Sequence, residues 1–351
     1  MDGSDVSGSP LPKTFLDFLS QNGLSPSLYA ASSQSIPRYV RLKPGFESHI
    51  GDIEDEIGCN LVEVPWLPNF YHLPPEIRIA STKAYREGKI YGIDAASGAA
   101  VLALNVSHGD HVLDLCAAPG AKLCMVADLL EGSGSLTGVD IARHRLAATR
   151  NILNKYALGD RCRLFVADGT KFSLIPLRAS SSSNSSRGDA SETYKEWEAR
   201  RRAWKERKLL AKTQNKCTEA EIREDPEVIF YGPRSGMVGR SKASVYRVVD
   251  EHQISDMGYD KVLVDAECTH DGSIKHIRKF EQWGWTTLPQ RVLEARRSDE
   301  LSALQLNLLT NGFRLLKAGG SLVYSTCSLS AAQNEDVVER FMSRNPSAGK
   351  T

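Results

Sequence analysis

The stretch HVLDLCAAPGAKLCMVADLLEGSGSLTGVDI, residues 111–141, decides the fold. Its apolar opening predicts a strand, CAAPG a Pro-Gly turn, and LCMVADLLEG a helix stopped at Gly132. GSLTGVDI predicts a second strand, RHRLAATRNILNKYAL (143–158) a second helix, and CRLFVADGT (162–170) a third strand. Strands alternating with helices in this way build a parallel sheet covered on its faces, so the expected class is α/β and doubly wound. The same rhythm returns at YDKVLVDAEC (259–268), runs through a Leu-rich helix at 301–320, and ends with SLVYSTCSLS (321–330) and a helix in QNEDVVERFMS (333–343).

Outward from this core the text changes character. Toward the N-terminus, KTFLDFLSQN (13–22) has helical spacing of Phe15, Phe18 and Leu19, and short strand-like pieces such as YVRLK (39–43) and LVEVPWL (61–67) follow. Residues 1–97 are expected to form a small α+β accessory region, 98–343 the catalytic domain, and 344–351 a tail. Between about 178 and 245 the rhythm breaks: serine-rich LRASSSSNSSRGDASE cannot bury enough apolar surface to order itself. A charged segment follows at 194–212, with eight basic residues, three acidic ones and two tryptophans seven apart. Its charge serves solubility or RNA contact, since cationic stems and aromatic rings together bind phosphate and base.

Composition narrows the function classes. With 44 Lys plus Arg against 43 Asp plus Glu among 351 residues, net charge favours neither a histone-like polycation nor an acidic tail. Seven cysteines without a C-x-x-C pair disfavour a zinc knuckle and an extracellular disulfide frame. The first residues lack both an apolar secretory core and an Arg-rich presequence pattern, and no run is long enough to span a bilayer. A cytoplasmic location is expected, with a mitochondrial or nuclear one as the alternative, and no membrane partner.

In an open α/β sheet, ligands bind beyond the carboxyl ends of the strands. Three acids stand at such ends in succession. Asp114 precedes the turn from Cys116 to Gly120, whose small residues let backbone approach a ligand. Asp140 is placed to accept ribose hydroxyls, and Asp168 an adenine amino group. The turn fits neither the dinucleotide fingerprint nor the Walker loop, and the set reads as a site for S-adenosylmethionine. The ordinary alternative for each Asp is a turn or cap residue.

Cys268 and Cys327 each follow a strongly apolar strand, so both are expected at the sheet edge that carries the cofactor turn. A pair of thiols suits a pyrimidine, whose carbon 5 is a poor nucleophile until a thiolate adds at carbon 6. Asp265 is placed to hydrogen-bond the pyrimidine edge. The ordinary reading of a lone Cys is a small core hydrophobe, and these residues alone do not rank the two thiols. His270, two positions from Cys268, is expected to be a loop residue rather than a base.

At these residues the chain resembles the Nop/Sun family of S-adenosylmethionine-dependent RNA cytosine-5 methyltransferases. CAAPGAK (116–122) resembles the cofactor loop, VDIARHRL (139–146) the ribose strand, FVADGT (165–170) the adenine side, and VLVDAEC (262–268) and VYSTCS (323–328) the two cysteine motifs. RYVRLK (38–43) is similar to the family's N-terminal RNA-binding signature, which implies an RNA-binding role for residues 1–97, and GIDAASGAAVLAL (92–104) to the segment before the cofactor domain. The resemblance implies a Rossmann-like class I methyltransferase domain with a mostly parallel seven-stranded sheet. It also implies Cys327 as nucleophile, Cys268 in product release and Asp265 on the base. The cofactor residues it implies are Cys116, Ala117, Ala118, Pro119, Gly120, Ala121, Lys122, Asp140, Arg145, Asp168 and Asp265. The acceptor implied is ribosomal or transfer RNA, with a protein partner as one source of specificity.

The chain departs from that pattern at four places. Ala121 and Leu123 replace a Gly and a Thr, Glu267 replaces the Pro before the second cysteine, and THDGS (269–273) replaces a small Ser-Gly run. The last is closer to the organellar branch of the family. A carboxylate beside Cys268 is expected to disfavour its thiolate. The rival of a different class is a catalytically idle RNA-binding protein.

Overall fold

The computed structural model describes residues 11–29, 36–177, 202, 225–249 and 257–350. The chain divides into two compact units: Met1–Ala103, Leu263–Phe313 and Val323–Thr351 form the first, and Leu104–Val262 with Arg314–Leu322 the second.

The first unit opens with helix α1 (Lys13–Gln21), which buries Phe15 and Leu19. Strand β1 (Arg38–Leu42), helix α2 (Ile50–Ile57), strands β2 (Val62–Glu63) and β3 (Phe70–Leu73), the one-turn helix α3 (Lys83–Arg86), β4 (Ile90–Gly92) and α4 (Ala95–Ala103) follow. The four strands form a sheet in the order β2-β3-β1-β4, antiparallel at each pairing. Val40, Leu42, Ile53, Leu61, Leu73 and Ile90 form its core. A separate cluster joins Phe15, Leu19 and Tyr29 to Ile277, Phe280, Leu288 and Val292, so α1 packs on the segment that follows Cys268.

The second unit carries the predicted alternation. Strand β5 (His111–Asp114), helix α5 (Ala121–Leu129), β6 (Ser135–Asp140), α6 (Arg143–Lys155) and β7 (Cys162–Val166) appear in that order. β5, β6 and β7 pair in parallel. Every residue of β6 is buried, as befits a parallel strand covered on both faces. Further along the chain come β8 (Leu174–Pro176), β9 (Glu227–Tyr231) and β10 (Tyr246–Val248), then β11 (Tyr259–Asp265), which runs on into the first unit, the 21-residue helix Ala295–Leu315, most of it in the first unit, and β12 (Leu316–Ser325).

The central sheet has the order β12-β11-β5-β6-β7-β9. Among the described residues it has six strands where seven are expected. β8, ending in a proline that has no amide to donate, pairs with β10 in a two-stranded ribbon instead. β9 pairs antiparallel with β7 and falls inside the segment expected as an insertion, so part of that segment is sheet. The serine-rich run and, apart from Arg202, the charged segment lie outside the described residues. Among the described residues no helix is long and apolar enough to cross a membrane.

Candidate active site

In the second unit the expected cofactor turn follows β5. Asp114 is buried and accepts the Cys116 amide at 3.1 Å. Ala117 and Ala118 are buried, Pro119 is exposed, and the Ala118-Pro119 peptide is cis. Gly120 stands at the start of α5 with φ 108°, a conformation side chains rarely adopt, and a Cβ there would come within 2.7 Å of Thr149 Cγ2. Cys116, Ala121 and Lys122 are half-buried, the last two in the first turn of α5.

Asp140 binds this turn to the next. Its Oδ2 accepts the Ala118 amide at 3.1 Å and its Oδ1 the Ala142 amide at 2.8 Å. Arg145, largely exposed, donates from Nη2 to the Ala118 carbonyl at 2.9 Å. Ala118, Asp140 and Arg145 are thus one hydrogen-bonded group. Asp168 is half-buried and closes its own turn, Oδ1 accepting the Thr170 amide at 2.9 Å and hydroxyl at 2.7 Å. The ordinary turn role therefore holds for both acids, yet a carboxylate offers about four lone-pair sites. Acceptor capacity therefore remains on both carboxylates.

In the first unit the two cysteine motifs meet. The Cys268 and Cys327 sulfurs are 3.3 Å apart, with Cys268 1% exposed and Cys327 open to solvent. His270 Nδ1 lies 2.7 Å from Cys327 Sγ and 3.7 Å from Cys268 Sγ. The loop expectation for His270 is therefore incomplete: it sits in a loop, and its ring contacts both thiols. Its backbone is left-handed, with φ 57°, an uncommon conformation for a residue with a side chain.

Neighbouring hydrogen bonds fix the two motifs against each other. Ala266 donates its amide to the Ser325 carbonyl at 3.0 Å and Gly272 to the Cys327 carbonyl at 2.9 Å. The Ser325 hydroxyl donates to Asp265 Oδ1 at 2.8 Å, and the Leu329 amide to Asp271 Oδ2 at 2.8 Å. Tyr29 donates to the Asp271 carbonyl at 2.6 Å, tying the loop to the segment after α1.

This arrangement shifts the charges. The hydrogen bond from Cys327 first, then the His270 bond and charge, draw the Cys268 thiol down to about 5 in spite of its burial. The hydrogen bond to Cys268 raises the His270 imidazole, with smaller help from the charges of Cys268, Glu267 and Asp265. Glu267 is one of the charges that raise His270. Its side chain is exposed and reaches Arg297 at 3.5 Å, while its carbonyl accepts Gln305 Nε2 at 2.8 Å. His270 is the residue that sequence reasoning missed.

Comparison with known proteins bears on this arrangement. The chain matches the family described as 16S rRNA methyltransferase RsmB/F over residues 101–180 and 238–350, more than half its length. It is 30% identical over 250 residues to the 5-cytosine rRNA methyltransferase NSUN4 of Mus musculus, covering 71% of this chain and 44% of that protein. The mitochondrial tRNA (cytosine(34)-C(5))-methyltransferase of Danio rerio is 26% identical over 307 residues, 86% of this chain and 59% of that protein. The chain spans well under two thirds of the length of these curated relatives. Its fold is like that of NSun6 from Pyrococcus horikoshii, solved with SFG, at TM-score 0.61 and 14% identity over 95% of this chain and 88% of that one. With the sheet, the turn after β5 and both matched blocks in the same order, the chain belongs to the RsmB/F methyltransferase family, the Nop/Sun group that its motifs resemble.

Proposed function

We propose that the chain is an S-adenosylmethionine-dependent RNA cytosine-5 methyltransferase with ribosomal or transfer RNA as acceptor. The observation that carries this reading is the thiol pair, two sulfurs 3.3 Å apart with one imidazole against both. Such a pair solves the chemical difficulty of a pyrimidine: one sulfur must add at carbon 6, and a base must later remove the carbon 5 proton.

In this reading Cys327, the exposed sulfur, forms the bond to carbon 6. Its proton passes to His270 Nδ1 along the 2.7 Å contact. When bound, S-adenosylmethionine supplies an electrophilic methyl for the activated carbon 5, needing alignment more than activation. Cys268, anionic at neutral pH, then accepts the carbon 5 proton as the Cys327–carbon 6 bond breaks and Cys327 leaves as thiolate. Asp265 hydrogen-bonds the base. Asp140 holds the ribose, Asp168 the adenine amino group, and residues 116–122 with Arg145 shape the turn that receives them. The name of the Danio rerio relative supports the mitochondrial alternative over the cytoplasmic expectation.

The test is transfer of tritiated methyl from S-adenosylmethionine to total RNA by wild type, Cys327→Ala and Cys268→Ala. The expected result is label in 5-methylcytosine that disappears with Cys327→Ala, and a trapped covalent RNA adduct with Cys268→Ala. RNA binding without label or adduct, under conditions where cofactor binds, would favour the idle RNA-binding protein instead.

A further inference from the structure

The same three side chains offer a second chemistry. We infer that Cys268, His270 and Cys327 form a binding site for a thiophilic divalent cation, zinc foremost, that holds the nucleophile in a reversible off-state. The off-state rests on the proposed function; the metal site itself does not.

One donor atom from each residue lies within 4.8 Å of the other two. Zinc–sulfur bonds of about 2.3 Å at tetrahedral angles require sulfurs about 3.8 Å apart. The two sulfurs stand at 3.3 Å, and His270 Nδ1 at 2.7 and 3.7 Å from them, so small side-chain rotations open the cluster to that geometry. Two sulfurs and one imidazole are a soft donor set that selects zinc or copper(I) over magnesium or calcium.

The surroundings favour occupancy. The Cys327 amide donates to Cys268 Sγ at 3.4 Å, stabilising charge on the buried sulfur. The Gly272 and Ala266 amides and the Asp271 carboxylate anchor the two motifs by hydrogen bonds, which keeps the donors together before any ion arrives. Cys327 and His270 are exposed, giving the ion an entry path, and three protein donors leave the fourth position to water. A sulfur committed to the metal cannot add to carbon 6, so loading the site silences the chain without altering its fold.

Titration of metal-free, full-length protein with cobalt(II) tests this, because thiolate-bound tetrahedral cobalt absorbs strongly in the near ultraviolet and visible. The expected result is one equivalent bound with both bands, bleached by zinc, and affinity reduced roughly tenfold or more in Cys327→Ser and in His270→Ala. Both positions are exposed, and circular dichroism reports whether each variant folds. Absence of tetrahedral bands, or bands that survive unchanged in both variants, would overturn the site. If the bands appear and zinc leaves methyl transfer unaffected, the off-state falls while the metal site stands. If no methyl transfer is found at all, the proposed function fails independently of the cobalt spectrum.

Discussion

The sulfurs of Cys268 and Cys327, 59 positions apart in the chain, lie 3.3 Å from each other, and the Cys327 amide donates to the Cys268 sulfur. Two thiols this close titrate as a unit, and the first proton leaves the pair with its charge on Cys268. In chelator-treated protein, Cys268 should therefore keep its thiolate ultraviolet absorbance from about pH 8 down to about pH 6, well below the ordinary thiol range near 8.5. His270→Gln, which keeps a polar side chain and removes the proton acceptor, should move this profile upward. The difference in thiolate absorbance between wild type and Cys268→Ser isolates this group from the other thiols.

Stability should follow the same titration. Cys268 has its folded value lowered from 9.0 to about 5, so its contribution is fully present above pH 9 and is lost as pH falls through about 5. The rise of urea stability between about pH 5 and pH 9 should be steeper in wild type than in Cys268→Ser. Equal slopes would remove the charge from Cys268.

Gly272 holds the Cys327 backbone directly. A Cβ at this position would stand 2.7 Å from the Cys327 carbonyl oxygen, where the Gly272 amide already donates at 2.9 Å. Gly272→Ala should displace the nucleophile and lower single-turnover methyl transfer by roughly 100-fold, the scale set by misplacement of about 1 Å. Far-ultraviolet circular dichroism should change little.

Tyr29 tests the anchor on the other side of the loop. Tyr29→Phe leaves the buried Asp271 carbonyl without the 2.6 Å donor while preserving the ring packed against Phe15. The expected loss is about 1–3 kcal/mol in urea unfolding.

Asp140 carries two backbone amides, those of Ala118 and Ala142. Asp140→Ala should free the turn and weaken binding of S-adenosylhomocysteine by roughly tenfold or more, on the scale of one or two charge-assisted hydrogen bonds. Isothermal titration calorimetry gives the affinity directly.

The β5-α5-β6-α6-β7 alternation was legible because short apolar runs alternate with helical spacing several times in succession, with Pro119, Gly132 and Gly159 among the breaks. The two thiols stood out because each terminates an apolar run. Their mutual distance did not, since contact between residues 59 apart leaves no periodic trace. His270 was illegible for a related reason: its reach depends on a left-handed backbone conformation and on Gly272 pressed against Cys327, neither of which is a property of residue type. The Glu267–Arg297 ion pair, thirty positions apart, left no trace either, and β9 was hidden because it stands in charged text outside the repeated strand-helix rhythm.

The bond from Tyr29 to Asp271 joins partners 242 positions apart. During synthesis at roughly 5–20 residues per second, Tyr29 waits about 12 to 50 seconds before its acceptor has been made. Helix α1, with Phe15 and Leu19 facing a core supplied by residues 277–292, must stay solvated or shielded by a chaperone for that interval. The loop that carries Cys268 and His270 therefore gains its Tyr29 anchor only once residue 271 and the core at 277–292 have been made.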